Sequence, residues 1–144
     1  MFSIIIPLYN KAPYIQRAID AVLAQTFQEF EIIVVNDGST DGGEKLLEEY
    51  KDDRIKIINK KNQGVSIARN TGIKHANFLY IAFLDADDYW HKNYLKITSD
   101  TILKFKDVTM IGSYSLTTNL LEEIGRCEVL ILRNYFSRAI HNTL

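Results

Sequence analysis

The strongest constraint on this chain is a set of short apolar runs set apart by segments that are apolar on one side only. Residues 2–8 are rich in isoleucine, residues 31–35 read EIIVV, and residues 78–84 read FLYIAFL. Residues 54–59, RIKIIN, alternate. A strand that is apolar on both faces needs cover on both faces, which a parallel sheet between helices provides. The segments in between carry a helical period. Ile15, Ala18, Ile19, Val22 and Leu23 fall on one face, and Pro13 suits the first turn of that helix. Leu46, Leu47 and Tyr50 share a side within residues 44–50. Val65, Ala68, Gly72 and Ala76 form a stripe within 65–76, and Leu95, Ile102 and Phe105 lie within 94–105. The alternation predicts an α/β fold with a mainly parallel sheet, right-handed crossovers and helices on both faces.

The tail is less periodic. Residues 108–116 and 127–132 read as two strands around a turn at 122–125, and residues 133–144 as a short helix. Arg133, Arg138 and His141 fit a solvated face of that helix better than a membrane-facing one. With 144 residues the chain is expected to be a single domain.

Composition removes several classes of function. A net charge of −1 supplies no bulk attraction for nucleic acid or an anionic membrane. Cys127 is the single cysteine, so no internal disulfide forms, which fits a reducing cytoplasm. No apolar run approaches the roughly 20 residues of a membrane-spanning helix. The opening MFSIIIPLYNK has no basic leader and no small-residue cleavage site, and it reads as a buried first strand.

Ligands of open α/β sheets bind outside the carboxyl ends of the strands. Four polar turns fall there: Pro7-Leu8-Tyr9-Asn10, residues 36–41 (NDGSTD), Asn62-Gln63-Gly64, and Asp85-Ala86-Asp87-Asp88. In the last, three carboxylates abut an apolar strand. They repel one another unless a cation or solvent intervenes. Magnesium, held by one or two carboxylates together with substrate phosphates and water, fits such a turn. The competing reading is a set of acidic caps for the helix before Tyr94. His75, His91 and His141 are too scattered for a zinc site. Residues 36–41 read equally as a turn with Ser39, Thr40 or Asp41 capping the next helix, or as a site where Asp37 accepts a nucleobase N–H. Arg69 reads equally as a base or diphosphate contact or as an exposed helical arginine. Lys60 and Lys61 read as a solvated loop.

Taken together, SIIIPLYN, VNDGSTD, NQGVSIARNTGI and FLDADD resemble the family 2 glycosyltransferases in order and spacing, over residues 3–90. The resemblance implies a GT-A (Rossmann-like) fold and an inverting enzyme that uses a nucleoside diphosphate sugar, with UDP-sugars the expected donors. It implies substrate-binding roles for Pro7 and Tyr9 at the base, Asn10 beside them, Asp37 reading the base, and Gly64 and Arg69 closing over the nucleotide. Asp85 and Asp87 correspond to the DXD-type signature. Asp87 is then the direct ligand of Mg2+ or Mn2+, and Asp85 faces the ribose or a metal-bound water. The implied acceptor is a glycan or lipid-linked hydroxyl in cell-surface polysaccharide synthesis. The implied setting is the cytoplasm, with peripheral attachment to the inner face of the membrane left open.

Other α/β readings fit less well. A nicotinamide-binding domain needs G-x-G-x-x-G after the first strand, where this chain has PLYNKA. A haloacid-dehalogenase-type phosphatase needs D-x-D-G-T, which neither acidic turn completes. A sugar nucleotidyltransferase would show a first loop rich in glycine and arginine. No base motif follows the DXD: Asp107, Glu122, Glu123 and Glu128 are the acidic candidates, and the QXXRW signature of processive synthases is absent. The expectation is therefore a truncated domain, with residues 1–90 binding the nucleotide sugar and 91–144 a partial remainder. The alternative function is a nucleotide-sugar-binding module without transfer.

Overall fold

The computed structural model describes residues 1–105, 110–112 and 130–133. Strand β1 (Phe2–Leu8) is central, paired in parallel with β2 (Phe30–Asn36) on one side and β4 (Tyr80–Phe83) on the other. Strand β3 (Ile55–Asn59) extends the parallel part beyond β2. Beyond β4, β6 (Leu130–Arg133) and β5 (Met110–Gly112) continue the sheet, each antiparallel to its neighbour, in the order β3-β2-β1-β4-β6-β5. Central placement explains why β1 is apolar without alternation: Ile4, Ile5 and Ile6 are all fully buried, and successive side chains enter opposite layers.

One layer holds Ile4, Ile6 and Leu8 against Ile15, Ala18, Ile19 and Val22 of α1 (Ala12–Leu23). Leu47 of α2 (Gly43–Leu47) and Leu95 of α4 (Tyr94–Lys104) join it. The opposite layer is α3 (Val65–Lys74), whose Ala68 packs on Ile33 and Val35. Gly72 lets α3 approach β1 closely, since a Cβ there would lie 2.4 Å from Ile5 Cγ2. The sheet is thus mainly parallel with helices on both faces, as the alternation predicts.

The boundaries differ from the sequence reading in several places. The expected α3 stripe holds at Ala68 and Gly72, but Val65 is exposed because the first turn of α3 forms the rim of a cavity. On α4, Thr98 is buried with Leu95, while Phe105 is exposed. Helix α2 stops at Leu47, and Tyr50 turns back to donate its hydroxyl to Asp20 Oδ1 of α1 at 2.7 Å. Strand β4 starts at Tyr80 because Asn77 and Phe78 donate their N–H groups sideways, to Glu31 Oε1 (2.7 Å) and Ser3 Oγ (3.0 Å). Arg133 closes β6 and does not open a helix. The turn expected at 122–125 and the helix expected beyond Arg133 lie outside the described residues. No helix among the described residues is long and apolar enough to cross a membrane.

Candidate active site

A cavity of about 440 Å³ opens where β1, β2 and β4 end. Pro7, Leu8, Tyr9 and Lys11 line it from the β1 side, Asp37 from β2, and Asp85, Ala86 and Asp87 from the turn after β4. Asn62, Gly64, Val65 and Ala68 complete the wall. The fold therefore brings together six of the eight residues assigned from the sequence: Pro7, Tyr9, Asp37, Gly64, Asp85 and Asp87. Asn10 and Arg69 do not line the cavity.

Asp37 extends the sheet by one bond, its N–H donating to Leu8 O at 2.8 Å, and its side chain is almost fully buried. The carboxylate accepts the Lys60 ammonium, the Gln63 N–H (3.1 Å) and the Gly64 N–H (2.8 Å). Burial pushes its pKa up. The Lys60 bond and the two backbone donors outweigh burial and hold the group below the ordinary carboxylate value. Lys60 is therefore not the solvated loop residue the sequence suggested, since its side chain is 14% exposed in this pair. Gly64 has φ +92°, a conformation that favours glycine, which leaves its N–H free to face Asp37. Gly38 allows the two loops to touch, because a Cβ there would stand 2.9 Å from Asn62 N.

The NDGSTD turn caps its neighbour differently from expectation. The N-cap of α2 is Gly42 in the left-handed region, with no side-chain cap bond. Asp41 instead bridges two helix starts, accepting Ala12 N–H of α1 at 2.8 Å and Gly43 N–H of α2 at 3.1 Å. Asn10, at φ +51°, ties the first loop to the second: it accepts Thr40 N–H at 2.8 Å and donates its own N–H to Ser39 Oγ at 3.2 Å.

The acidic turn does not cap α4, whose N-cap is Asn93 and whose first turn holds no acidic residue. The turn closes on itself through Asp88 N–H to Asp85 O at 2.9 Å and is held by cations. Arg69 Nη2 lies 2.7 Å from Asp85 Oδ1, and its guanidinium stands over the Phe83 ring at 5.7 Å. Lys11 Nζ lies 2.7 Å from Asp87 Oδ2, and Arg17 Nη2 donates to Asp87 O at 3.0 Å. Burial raises the Asp87 pKa, but the Lys11 bond and the charges of Lys11 and Arg17 bring it below its usual value. The Asp87 bond raises that of Lys11. Gln25, buried just past the end of α1, anchors the chain between the acidic turn and α4: Nε2 donates to His91 O at 2.9 Å, and Oε1 accepts Leu95 N–H at 2.9 Å.

Sequence reasoning missed Lys11, Arg17 and Gln25. Lys11 carried one usable signal, its place directly after PLYN at the start of a helix. Arg17 and Gln25 carried none, because their partners lie 70 and 66 residues away.

Residues 3–131 match the family described as Glycosyl transferase family 2. The chain belongs to that family. Among its relatives is an Escherichia coli protein named UDP-Glc:alpha-D-GlcNAc-diphosphoundecaprenol beta-1,3-glucosyltransferase WfgD. It is 38% identical over 120 residues, covering 83% of this chain and 47% of that protein. The fold is shared with S. aureus TarS in complex with UDP, at TM-score 0.82, 24% identity and coverage of 97% of this chain and 48% of that one. A mannosyltransferase from Pyrobaculum calidifontis in complex with GDP-Man and Mn2+ matches at TM-score 0.70 and 22% identity, covering 96% of this chain and 46% of that one. This family 2 chain spans less than half the length of the curated relatives it matches.

Proposed function

We propose that this family 2 glycosyltransferase chain binds a nucleoside diphosphate sugar, with UDP as the nucleotide, and supports transfer of its sugar with inversion to a glycan or lipid-linked hydroxyl. The observation that carries the reading is the cavity at the strand ends, with an apolar and aromatic wall on one side and the Asp85–Asp87 turn on the other. Pro7 and the half-exposed Tyr9 offer flat surface to a base. Asp37 orders Gln63 and Gly64 and thereby sets the shape of the pocket that reads the base. Gly64 and Arg69 shape the edge that closes over the nucleotide, and Asn10 supports that pocket by joining the first two loops. The relative named for UDP-Glc and the fold neighbour in complex with UDP support the choice of nucleotide.

Asp85 and Asp87 suit Mg2+ or Mn2+ by donor chemistry. Both offer hard carboxylate oxygens on one turn, and no third acidic, His or Cys ligand joins them among the described residues. The remaining positions would be left to phosphate oxygens and water, as for such ions elsewhere. Asp87 would be the direct ligand, and Asp85 would face the ribose or a coordinated water. A bound divalent ion supplies Lewis-acid stabilisation of the departing diphosphate. The protein orients the turn through Arg69, Arg17 and Gln25, so the leaving group meets a preorganised site. The general base belongs outside the nucleotide site, and its candidates Asp107, Glu122, Glu123 and Glu128 lie outside the described residues. The acceptor named for the WfgD relative is a polyprenyl diphosphate sugar, which supports surface-polysaccharide synthesis at the inner face of the membrane.

Titration calorimetry with UDP tests this reading. Binding should strengthen with Mn2+ over chelator, and Asp87→Asn should lose most of that gain while melting like the parent. Equal affinity in chelator would remove the metal, and a preference for GDP would overturn the uracil assignment.

A further inference from the structure

Each cavity carboxylate already has its own cation: Asp37 has Lys60, Asp85 has Arg69, and Asp87 has Lys11. A divalent ion at a carboxylate meets the repulsion of the cation already there, even where the second oxygen is open. Asp37 and Lys60 are 3% and 14% exposed, and two backbone N–H groups share the carboxylate. Arg69 and Lys11 each have a ring beside the charge, Phe83 at 5.7 Å and Tyr14 at 5.9 Å. The Lys11–Asp87 pair, at 41% and 43% exposure, and the Arg69–Asp85 pair, at 37% and 38%, are both open, and each joins through one contact. What sets Lys11 apart is that it lines the cavity itself, which Arg69 and Lys60 do not. An ammonium on a flexible four-carbon stem re-aims easily. The N–H of Ala12, at the start of α1, is already given to Asp41, so it is not available to a phosphate there.

We propose that Lys11 is an exchangeable counter-cation: it neutralises Asp87 in the protein alone, and it passes to the diphosphate oxygens when a divalent ion takes Asp87. This rests on the nucleotide-sugar reading above and adds a consequence to it. The same ammonium competes with the ion before nucleotide arrives and rewards the nucleotide afterwards, so Lys11 makes the two ligands bind cooperatively. By linkage, the factor by which UDP tightens Mn2+ equals the factor by which Mn2+ tightens UDP.

A lysine that only braced the acidic turn would behave differently, because its loss would loosen the turn and weaken both ligands. The experiment measures Mn2+ binding by electron paramagnetic resonance of the free ion, with and without UDP, for the parent, Lys11→Met and Lys11→Arg. Thermal melting confirms that each is folded. Lys11→Met should bind Mn2+ alone about two- to fivefold more tightly, the scale of a half-exposed ion pair. It should also lose a similar factor from the UDP-induced gain. Lys11→Arg should keep the parent's pattern. If Lys11→Met binds Mn2+ alone no more tightly than the parent, or keeps the full UDP-induced gain, the exchange is overturned while the nucleotide-sugar reading stands. If the parent itself shows no UDP-dependent gain in Mn2+ affinity, the exchange falls together with the metal.

Discussion

At the residue scale, Asp37 is the most consequential side chain of the site. Its charge is buried and shared between an ammonium and two backbone donors, and such groups are costly to leave unpaired. Asp37→Asn would keep the shape, but with its oxygen accepting from Gln63 and Gly64 its NH2 group would face the Lys60 ammonium. We expect it to lower stability by about 3 kcal/mol, as for one partner removed from a buried pair. UDP affinity should fall with it as the pocket loses order. Urea unfolding measures the first and calorimetry the second. A stability change within about 0.5 kcal/mol, the range of ordinary surface substitutions, would show that solvent replaces the partner freely. Asp85 and Asp87 were legible in the sequence because they directly follow an apolar run. Their cations were not, since Lys11 and Asp87 are 76 positions apart and only the fold brings them together.

At the element scale, the close contact of α3 with β1 decides how far Arg69 reaches toward the acidic turn. Gly72 sits at that contact, and two effects oppose each other there. Alanine would favour the helix by about 1 kcal/mol. Its methyl group would enter the space of the fully buried Ile5, and overpacking of that kind costs about 1–3 kcal/mol. We expect Gly72→Ala to be net destabilising in thermal melting and to weaken UDP binding as α3 is pushed from the sheet. A higher melting temperature would mean that Ile5 moves aside and propensity wins. The periodic stripe identified α3 but not its limits, because Val65 shares the period while forming part of the cavity rim.

At the scale of the whole molecule, acid stability reports on the paired carboxylates. The Arg54 side chain, donating to Asp52, holds that carboxyl at about 2. The bonds to Asp37 outweigh its burial and hold it below its usual value. Depressed carboxyl groups stabilise the fold above their unfolded pKa of about 4. That contribution is lost as pH falls toward the folded values. Urea unfolding from pH 7 down to pH 2 should therefore show stability falling below about pH 4. Asp52→Asn should remove up to about 1 kcal/mol of that fall, the scale for a partly exposed pair. An unchanged slope would show that the Asp52–Arg54 pair persists equally in the unfolded chain. The sequence by itself determined the layered α/β class, the cover of the apolar strands on both faces and the strand-end position of the acidic turn, because these follow from local period and from burial on two faces. Only the tertiary structure decided that β6 runs antiparallel beside β4 with β5 antiparallel beyond β6, and that Asp41 bridges two helix starts. It alone decided that each cavity carboxylate carries its own cation. These are contacts between residues far apart in the chain, and a local pattern holds no record of which side chains the fold will bring within hydrogen-bond reach.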